Sequence, residues 1–296
     1  MNSFFQVCKS EFYKLRTQKS ARILSVVAIL FYPILTLFAI FIMKLASVMQ
    51  ITDNTNGVKT QFSELELMKS VGWSSITAGI SVAGVLVAIF AIMFFSSEFQ
   101  SGSIYSTLIA TPNRIKLYFA KFVSLFIFTY LIAVIGEILA YLSSIPFLIN
   151  VEGQNLLLTV SSADDFRYIL GSPLMLAFMA VICLALGCLF RSTSAGIIIY
   201  FLFSFVLSAA LAGIALSLSS ANTLLARIFS GIQAFLPFSG SDAFLSNSTS
   251  DLSSSASAQL EYVFPLDHLQ GFLVMLLWVI VLTFASLLLF EKRDIK

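Results

Sequence analysis

The sequence predicts an all-α integral membrane protein with six transmembrane helices, an N-terminal interfacial helix and a short helix in a cytoplasmic loop. The prediction rests on composition, on six long apolar runs and on the distribution of basic residues. Of the 296 residues, 58% are hydrophobic and 11% are charged, whereas roughly 25% of the residues of an average soluble domain are charged. The loops have no room for a second folded domain, so we expect a single transmembrane domain over 1–296.

Each apolar run is long enough to cross a bilayer as a helix, which takes about 20 residues. The runs cover 23–49, 73–96, 117–145, 168–190, 195–218 and 269–290. Since no water in the hydrocarbon satisfies peptide groups, each run must close its own backbone hydrogen bonds, which favours helices.

The positions of lysine and arginine predict the orientation, because these residues accumulate on the cytoplasmic side. With the N-terminus inside, twelve basic residues lie on the inner side: Lys9, Lys14, Arg16, Lys19, Arg22, Arg114, Lys116, Lys121, Arg191, Lys292, Arg293 and Lys296. Four lie outside: Lys59, Lys69, Arg167 and Arg227. We therefore expect both termini to be cytoplasmic. Because topology explains the basic residues, the net charge of +2 does not indicate nucleic-acid binding.

The segment before the first run has an apolar stripe at helical spacing. Phe4, Cys8, Phe12 and Leu15 form this stripe. It predicts a helix on the inner membrane surface, and a basic flank that merely sets topology explains the segment equally well.

The loop between the second and third runs is longer than the two to eight residues that a helix connection needs. Gly102 permits a turn and Pro112 ends a helix near Thr111. The apolar edge of that helix consists of Ile104, Tyr105, Leu108 and Ile109. Such an edge needs a protein partner or lies on lipid headgroups, and the residues alone leave both open.

An outer helix is predicted between the fifth and sixth runs. Its apolar residues at helical spacing are Leu224, Leu225, Ile228, Phe229, Ile232, Phe235 and Leu236. Pro237 ends this run, and the serine-rich stretch 239–257 is typical of a flexible loop. A cap packed on the bundle is the simpler role for this helix.

Glu137 is an acid well inside a run, where a charge costs about 2.5 to 3.5 kcal/mol on insertion scales. It must face protein, be protonated or meet water. Two roles are open: a polar point on a substrate path, or an interhelical hydrogen bond.

Two segments in matching topological places resemble a known family. The loop reads Glu98-Phe99-x-x-Gly102-x-Ile104, followed by Leu108, Thr111-Pro112, Arg114 and Lys121. The N-terminus reads Glu11-Phe12-x-Lys14-Leu15-Arg16. Both are similar to ATP-binding cassette (ABC) transporter permeases of the type-2 exporter family, although Ser103 stands where threonine is often found.

The resemblance implies that the loop helix is a coupling helix seated in a groove of a separate cytoplasmic ATPase. The implied ATPase contacts are Glu98, Phe99, Gly102, Ile104, Tyr105, Leu108 and Arg114. It also implies a second permease copy or a homologous permease, export across the cell membrane of a bacterium, and ATP with Mg²⁺ bound on the partner.

The sequence argues against an enzyme. It contains no Gly-x-x-x-x-Gly-Lys-Ser/Thr phosphate loop, so nucleotide hydrolysis is expected on another chain. His268 is the only histidine, which excludes a His-Glu-x-x-His zinc site. We expect no catalytic residue, metal site or cofactor here. A channel or membrane sensor without an ATPase is the alternative.

Overall fold

The computed structural model describes residues 4–48, 79–148, 163–219, 223–245 and 266–292. The helices are α1 (Phe4–Thr17), α2 (Lys19–Val48), α3 (Ile80–Gln100), α4 (Ser103–Ala110), α5 (Arg114–Leu148), α6 (Ala163–Phe190), α7 (Thr193–Phe201), α8 (Ser208–Ser219), α9 (Thr223–Ala234), α10 (Pro237–Leu245) and α11 (His268–Lys292). A π-helical segment, Leu202–Leu207, joins α7 to α8. These ranges contain no strand, so the all-α prediction is confirmed.

Six stretches of the described helices are long and apolar enough to cross a membrane, as predicted. They are Lys19–Ile42, Ile80–Gln100, Arg114–Phe147, Phe166–Phe190, Thr193–Leu218 and His268–Lys292. Most begin a few residues before the predicted runs, because polar residues at a helix end are still helical. Residues 73–78, the predicted start of the second span, lie outside the described residues.

The second and fourth spans form the centre of the bundle. In the fourth span 72% of the most apolar stretch is buried in the chain, whereas in the fifth span 11% is buried. Small side chains such as Ala88, Ala91 and Ala180 allow this close approach, and the bulky Phe95 and Tyr118 fill the remaining space. The fifth span, by contrast, turns Ile198, Phe205 and Leu216 to the outside of the chain, where lipid or another protein must cover them. The core therefore leaves the fifth span at the periphery.

The predicted N-terminal helix α1 is confirmed, and the face that it packs against the bundle differs from the apolar stripe. Val7, Glu11 and Leu15 are the buried residues, while Phe4 is exposed. The helix packs along the start of α5, where the Ser124 hydroxyl donates to the Cys8 carbonyl at 3.1 Å. Glu11 thus lies at the centre of the buried face, where Lys14 and Lys121 neutralise its charge.

The predicted outer helix is α9, and its large apolar side chains point away from the rest of the chain. Small residues, Ala226 and Ser230, make the buried face. The helix ends before Pro237 as predicted, yet Pro237 begins α10, so residues 239–245 are helical and the loop prediction is wrong for them. Residues 246–257 lie outside the described residues.

Close packing on α11 explains why this serine-rich segment is ordered as a helix. A Cβ added to Gly240 would lie 2.8 Å from the Gly271 carbonyl oxygen, so the two backbones touch where α10 crosses α11. The His268 ring approaches the Ala243 carbonyl at 3.2 Å. The two glycines let α10 pack closely on α11, and this packing stabilises α10 as a helix despite its serine-rich sequence.

Candidate coupling site

The short helix α4 is set apart from α3 by a turn at Gly102. The φ angle of Gly102 is 69°, a left-handed conformation that glycine adopts without the steric cost of a Cβ. The helix ends at Ala110, two residues before Pro112. Both turn residues therefore act as the sequence predicts.

The apolar edge of α4 is divided between the interior and the surface. Ile104 is 1% exposed and Leu108 packs against the same core. Tyr105 is 42% exposed and Ile109 is 85% exposed. One face of the helix thus attaches it to the bundle, and the opposite face presents an aromatic and an aliphatic side chain.

Glu98, four positions before the turn, belongs to an ion cluster that is buried or nearly buried except at Lys14, which is 41% exposed. Lys121 Nζ lies 2.7 Å from Glu98 Oε1 and 2.7 Å from Glu11 Oε2. Lys14 Nζ lies 2.6 Å from Glu11 Oε1 and 3.4 Å from Glu98 Oε1. The cluster joins α1, α3 and α5, because each helix supplies at least one of its charges.

The electrostatics of α1 reflect this cluster. Burial alone raises the pKa of Glu11, but the attraction of Lys121 and Lys14 more than offsets it, so the pKa is lowered from its usual value of 4.5. Burial lowers the pKa of Lys14, and Glu11 and Glu98 raise it further than burial lowers it. Both groups are therefore charged at neutral pH.

Phe99, next to Glu98, faces a different set of residues. Its ring packs edge-on against Phe95, with centroids 5.3 Å apart, and against Phe290 of α11 at 6.1 Å. The Arg191 guanidinium lies 5.0 Å from the same ring. Arg191 connects α6 to α7 with a positive φ of 52°. The base of α4 is thus packed against the fifth and sixth spans.

Arg114, just after the loop, holds the end of the last span. Its Nη1 donates to the carbonyl oxygens of Phe290 and Glu291, each at 3.2 Å. A cation at the C-terminal end of a helix satisfies carbonyls that have no partner within the helix. Arg114 therefore ties the loop to α11.

Two clefts separate α4 and its turn from α1. One has a volume of about 390 Å³ and is lined by Lys14, Thr17, Gln18, Phe94, Ser97, Glu98, Ser101 and Ser103. The other has a volume of about 360 Å³ and is lined by Gln6, Val7, Ser10, Glu11, Lys14, Ser106, Thr107, Ala110 and Thr111. Lys14 borders both, so the ion cluster lies between them.

Glu137 lies far from this site along α5. It is 8% exposed, and the Ser172 hydroxyl of α6 is hydrogen-bonded to Glu137 Oε1. The same hydroxyl lies 2.6 Å from the Tyr168 carbonyl. This is the interhelical contact that the sequence left open as one of two roles.

A comparison with protein families now identifies the bundle. The family model described as ABC-2 family transporter protein matches residues 7–207, which include most of α1, the ion cluster, α4, the first four spans and more than half of the fifth. The chain belongs to the ABC-2 transporter family. It is a multi-pass membrane protein and a permease of an ABC transporter. No curated protein matches the chain.

The residues predicted as ATPase contacts fall into two groups: those exposed on the surface of this ABC-2 permease and those that make contacts within the chain. Tyr105 is open to a partner, whereas Glu98, Phe99, Ile104 and Arg114 make contacts within the chain. Gly102 shapes the turn and Leu108 is partly buried. The contact hypothesis itself stays a prediction.

Sequence reasoning missed Glu11, Lys121 and Arg191 as members of this ABC-2 site and left Ile109 out of the contacts. Glu11 and Lys121 did stand in the two segments that resemble the family. Lys121 also interrupts an apolar run, and these were the available signals. The described residues contain no cluster of side chains able to hold a metal ion.

Proposed function

We propose that this permease is one half of an ATP-driven exporter and that α4 binds a separate cytoplasmic ATP-binding cassette ATPase. ATP and Mg²⁺ bind on that partner. The observation that carries the proposal is the exposed pair Tyr105 and Ile109 on a helix fixed to the bundle by its other face. Family membership supports the same reading.

The orientation follows from charge. Residues at the α1 end of the bundle account for most of the lysines and arginines, and Arg114 links the loop to the end of α11 on that side. We place both termini and α4 in the cytoplasm, because basic residues are retained there.

The coupling rests on differential binding. A nucleotide shifts the permease between two conformations only if the ATPase holds α4 with different free energies in its open and closed states. Ile109 and Tyr105 supply the apolar contact for this. The internal contacts of Glu98, Phe99 and Arg114 then carry the motion of α4 to α1, α5 and α11.

A second permease copy, or a homologous one, completes the exporter. One six-span unit leaves its fifth span exposed along nearly all of its length. On this span Ala209, Gly213 and Ser217 recur every fourth residue, and a Cβ built on Gly213 would have open space beside it, with no neighbouring side chain or other helix within 4 Å. Small residues at this spacing favour close helix pairing in membranes.

The test is co-purification of the full-length chain from its native membrane, with mass identification of its companions. We expect an ATP-binding cassette subunit with the wild type and with Ile109→Leu, and its loss with Ile109→Asp. In a Cys8→Ser background, Tyr105→Cys should react with a membrane-impermeant thiol reagent only from the cytoplasmic side. Labelling from outside, or no ATPase partner, would contradict the proposal and favour a channel or sensor.

A further inference from the structure

Lys121 is a buried cation shared by two helices that lead to different parts of the coupling site. Its side chain is 0% exposed. Glu11, one partner, is on α1, and Glu98, the other, is near the end of α3 just before α4. Through one ammonium group, α5 therefore holds both the N-terminal helix and the base of the coupling helix.

Aromatic rings limit where this ammonium can lie. It is 4.6 Å from the ring centroid of Phe94 and 5.6 Å from that of Phe95. A cation is attracted to the face of an aromatic ring, and the attraction is stronger away from water. Two carboxylates and two rings thus fix the position of Lys121 Nζ.

The two clefts leave little direct packing between α1 and α4, so the ion cluster is their main connection. Across the 360 Å³ cleft, Ser10 of α1 faces the wall that contains Thr107 of α4, so empty space separates the two helices there. Lys14 and Glu11 line the same cleft. Direct packing of α1 on α4 is interrupted, and the ion cluster bridges the gap.

We propose that Lys121 is a positioning residue that makes α1 and α4 move together when the ATPase moves α4. The mechanism rests on the proposed function, since α4 must receive a motion in order to pass it on. Lys121 touches neither nucleotide nor substrate in this role; it holds the two carboxylates at a fixed separation.

A stabilising role and a positioning role for the cluster predict different results. Neutral residues of similar size often replace a buried ion pair without loss of stability, whereas removal of one partner leaves a costly unpaired charge. If the cluster only stabilised the fold, uncharged residues in its place would leave the arrangement of α1 and α4 unchanged. If it positions the two helices, the same replacement would change their arrangement.

Four variants separate these roles. Lys121→Met leaves two buried acids without their shared cation and should lower the thermal midpoint. The triple variant Glu11→Gln, Glu98→Gln, Lys121→Met removes every buried charge of the cluster, since the remaining Lys14 is 41% exposed, and should regain much of that midpoint. Glu98→Leu alone keeps the Glu11–Lys121 pair, removes the acceptor on α3 and serves if the triple variant does not fold. Lys116→Met, at an exposed lysine of the same helix, is the matched control.

The first readout needs no ATPase. Spin labels at the exposed positions 13 and 109 report the distance between α1 and α4 in the full-length chain in nanodiscs. We expect one narrow distance for the wild type and Lys116→Met, and loss of that narrow distribution in the triple variant and in Glu98→Leu. A folded triple variant with the wild-type distribution would overturn the proposal. Where the triple variant does not fold, a wild-type distribution in Glu98→Leu would overturn it.

The second readout uses the complex with its ATPase. Labels at positions 13 and 269 report whether α1 shifts relative to the outer start of α11 when ADP and vanadate are added. We expect a shift in the wild type and its loss in the triple variant; an equal shift in both would refute the mechanism. If no ATPase binds the wild type, the proposed function fails, while the distances in the isolated permease still decide whether Lys121 positions α1 and α4.

Discussion

Arg191 and Phe99 stack at the junction of three spans, with the guanidinium carbon 5.0 Å from the ring centroid. Arg191 lies between the fourth and fifth spans, and Phe99 lies at the end of the second. The stack therefore joins the loop that carries α4 to the most exposed span. Arg191 keeps a φ of 52° at this position, which costs an L-residue about 1 to 2 kcal/mol.

We predict that Arg191→Gly is more stable than Arg191→Ala. Both variants lose the stack, worth about 0.5 to 2 kcal/mol, but only glycine also relieves the left-handed strain. The difference of about 1 kcal/mol corresponds to roughly 2 °C in thermal midpoint for a chain of this size. Thermal unfolding in detergent measures it, with Lys116→Ala as control. An alanine variant as stable as the glycine variant would show that the backbone here is unstrained.

A second prediction concerns Glu137 and Ser172. Their hydrogen bond joins α5 to α6 within the bundle, and such bonds in membrane proteins contribute about 0.6 kcal/mol on average. A double-mutant cycle of Glu137→Ile and Ser172→Ala, followed by unfolding in a denaturing detergent, should give a coupling energy of that size. Ser143→Ala is the control, because Ser143 bonds only within its own helix at the Ala140 carbonyl.

Glu137→Gln distinguishes the two roles of this residue. The amide still accepts from Ser172, so we expect normal assembly and stability. Lost transport in a normally assembled variant would assign Glu137 to the substrate path, whereas a zero coupling energy in the cycle would remove the structural role.

Hydropathy predicted the spans because a bilayer imposes the same requirement on every crossing segment. Turn chemistry predicted the Gly102 turn and the end of α4 before Pro112 for a similar reason, since φ and the missing amide are properties of single residues. Neither rule predicts partners. Glu11 and Lys121 are 110 positions apart, and only tertiary packing brings them together.

Two differences between expectation and structure have the same origin. The apolar stripe predicted for α1 does not include Glu11, yet Glu11 shares the buried face with Val7 and Leu15. The serine-rich segment was assigned as a loop, although Gly240 packs against Gly271. In both cases a contact with another helix, with Lys121 for Glu11 and with Gly271 for Gly240, decided the structure, and the local sequence does not contain that information.

Substitutions at Gly102 should rank by their tolerance of a positive φ. A Cβ there would meet the Tyr105 ring only at 3.9 Å, an ordinary contact, so strain alone decides. Asparagine tolerates this conformation better than alanine, which costs about 1 to 2 kcal/mol. Proline fixes φ near −65° and removes the amide that donates to the Phe99 carbonyl.

We therefore expect retention of the ATPase in co-purification to fall in the order Gly102, Gly102→Asn, Gly102→Ala, Gly102→Pro. All four chains should insert normally, because the turn lies outside the spans. Full retention by Gly102→Pro would mean that the turn does not orient α4 for its partner.

Acid should weaken the attachment of α1 through Glu11. Because the folded-state pKa of Glu11 lies below its usual value of 4.5, its stabilising effect is complete above that value and is lost as pH falls below it. Thermal midpoints measured from pH 7 to pH 3.5 should therefore drop more steeply for the wild type than for Glu11→Gln, which has no carboxyl to protonate. Glu291→Gln, at an exposed acid of α11, should follow the wild type. Parallel curves for the wild type and Glu11→Gln would show that the buried carboxylate contributes nothing to the stability of the fold.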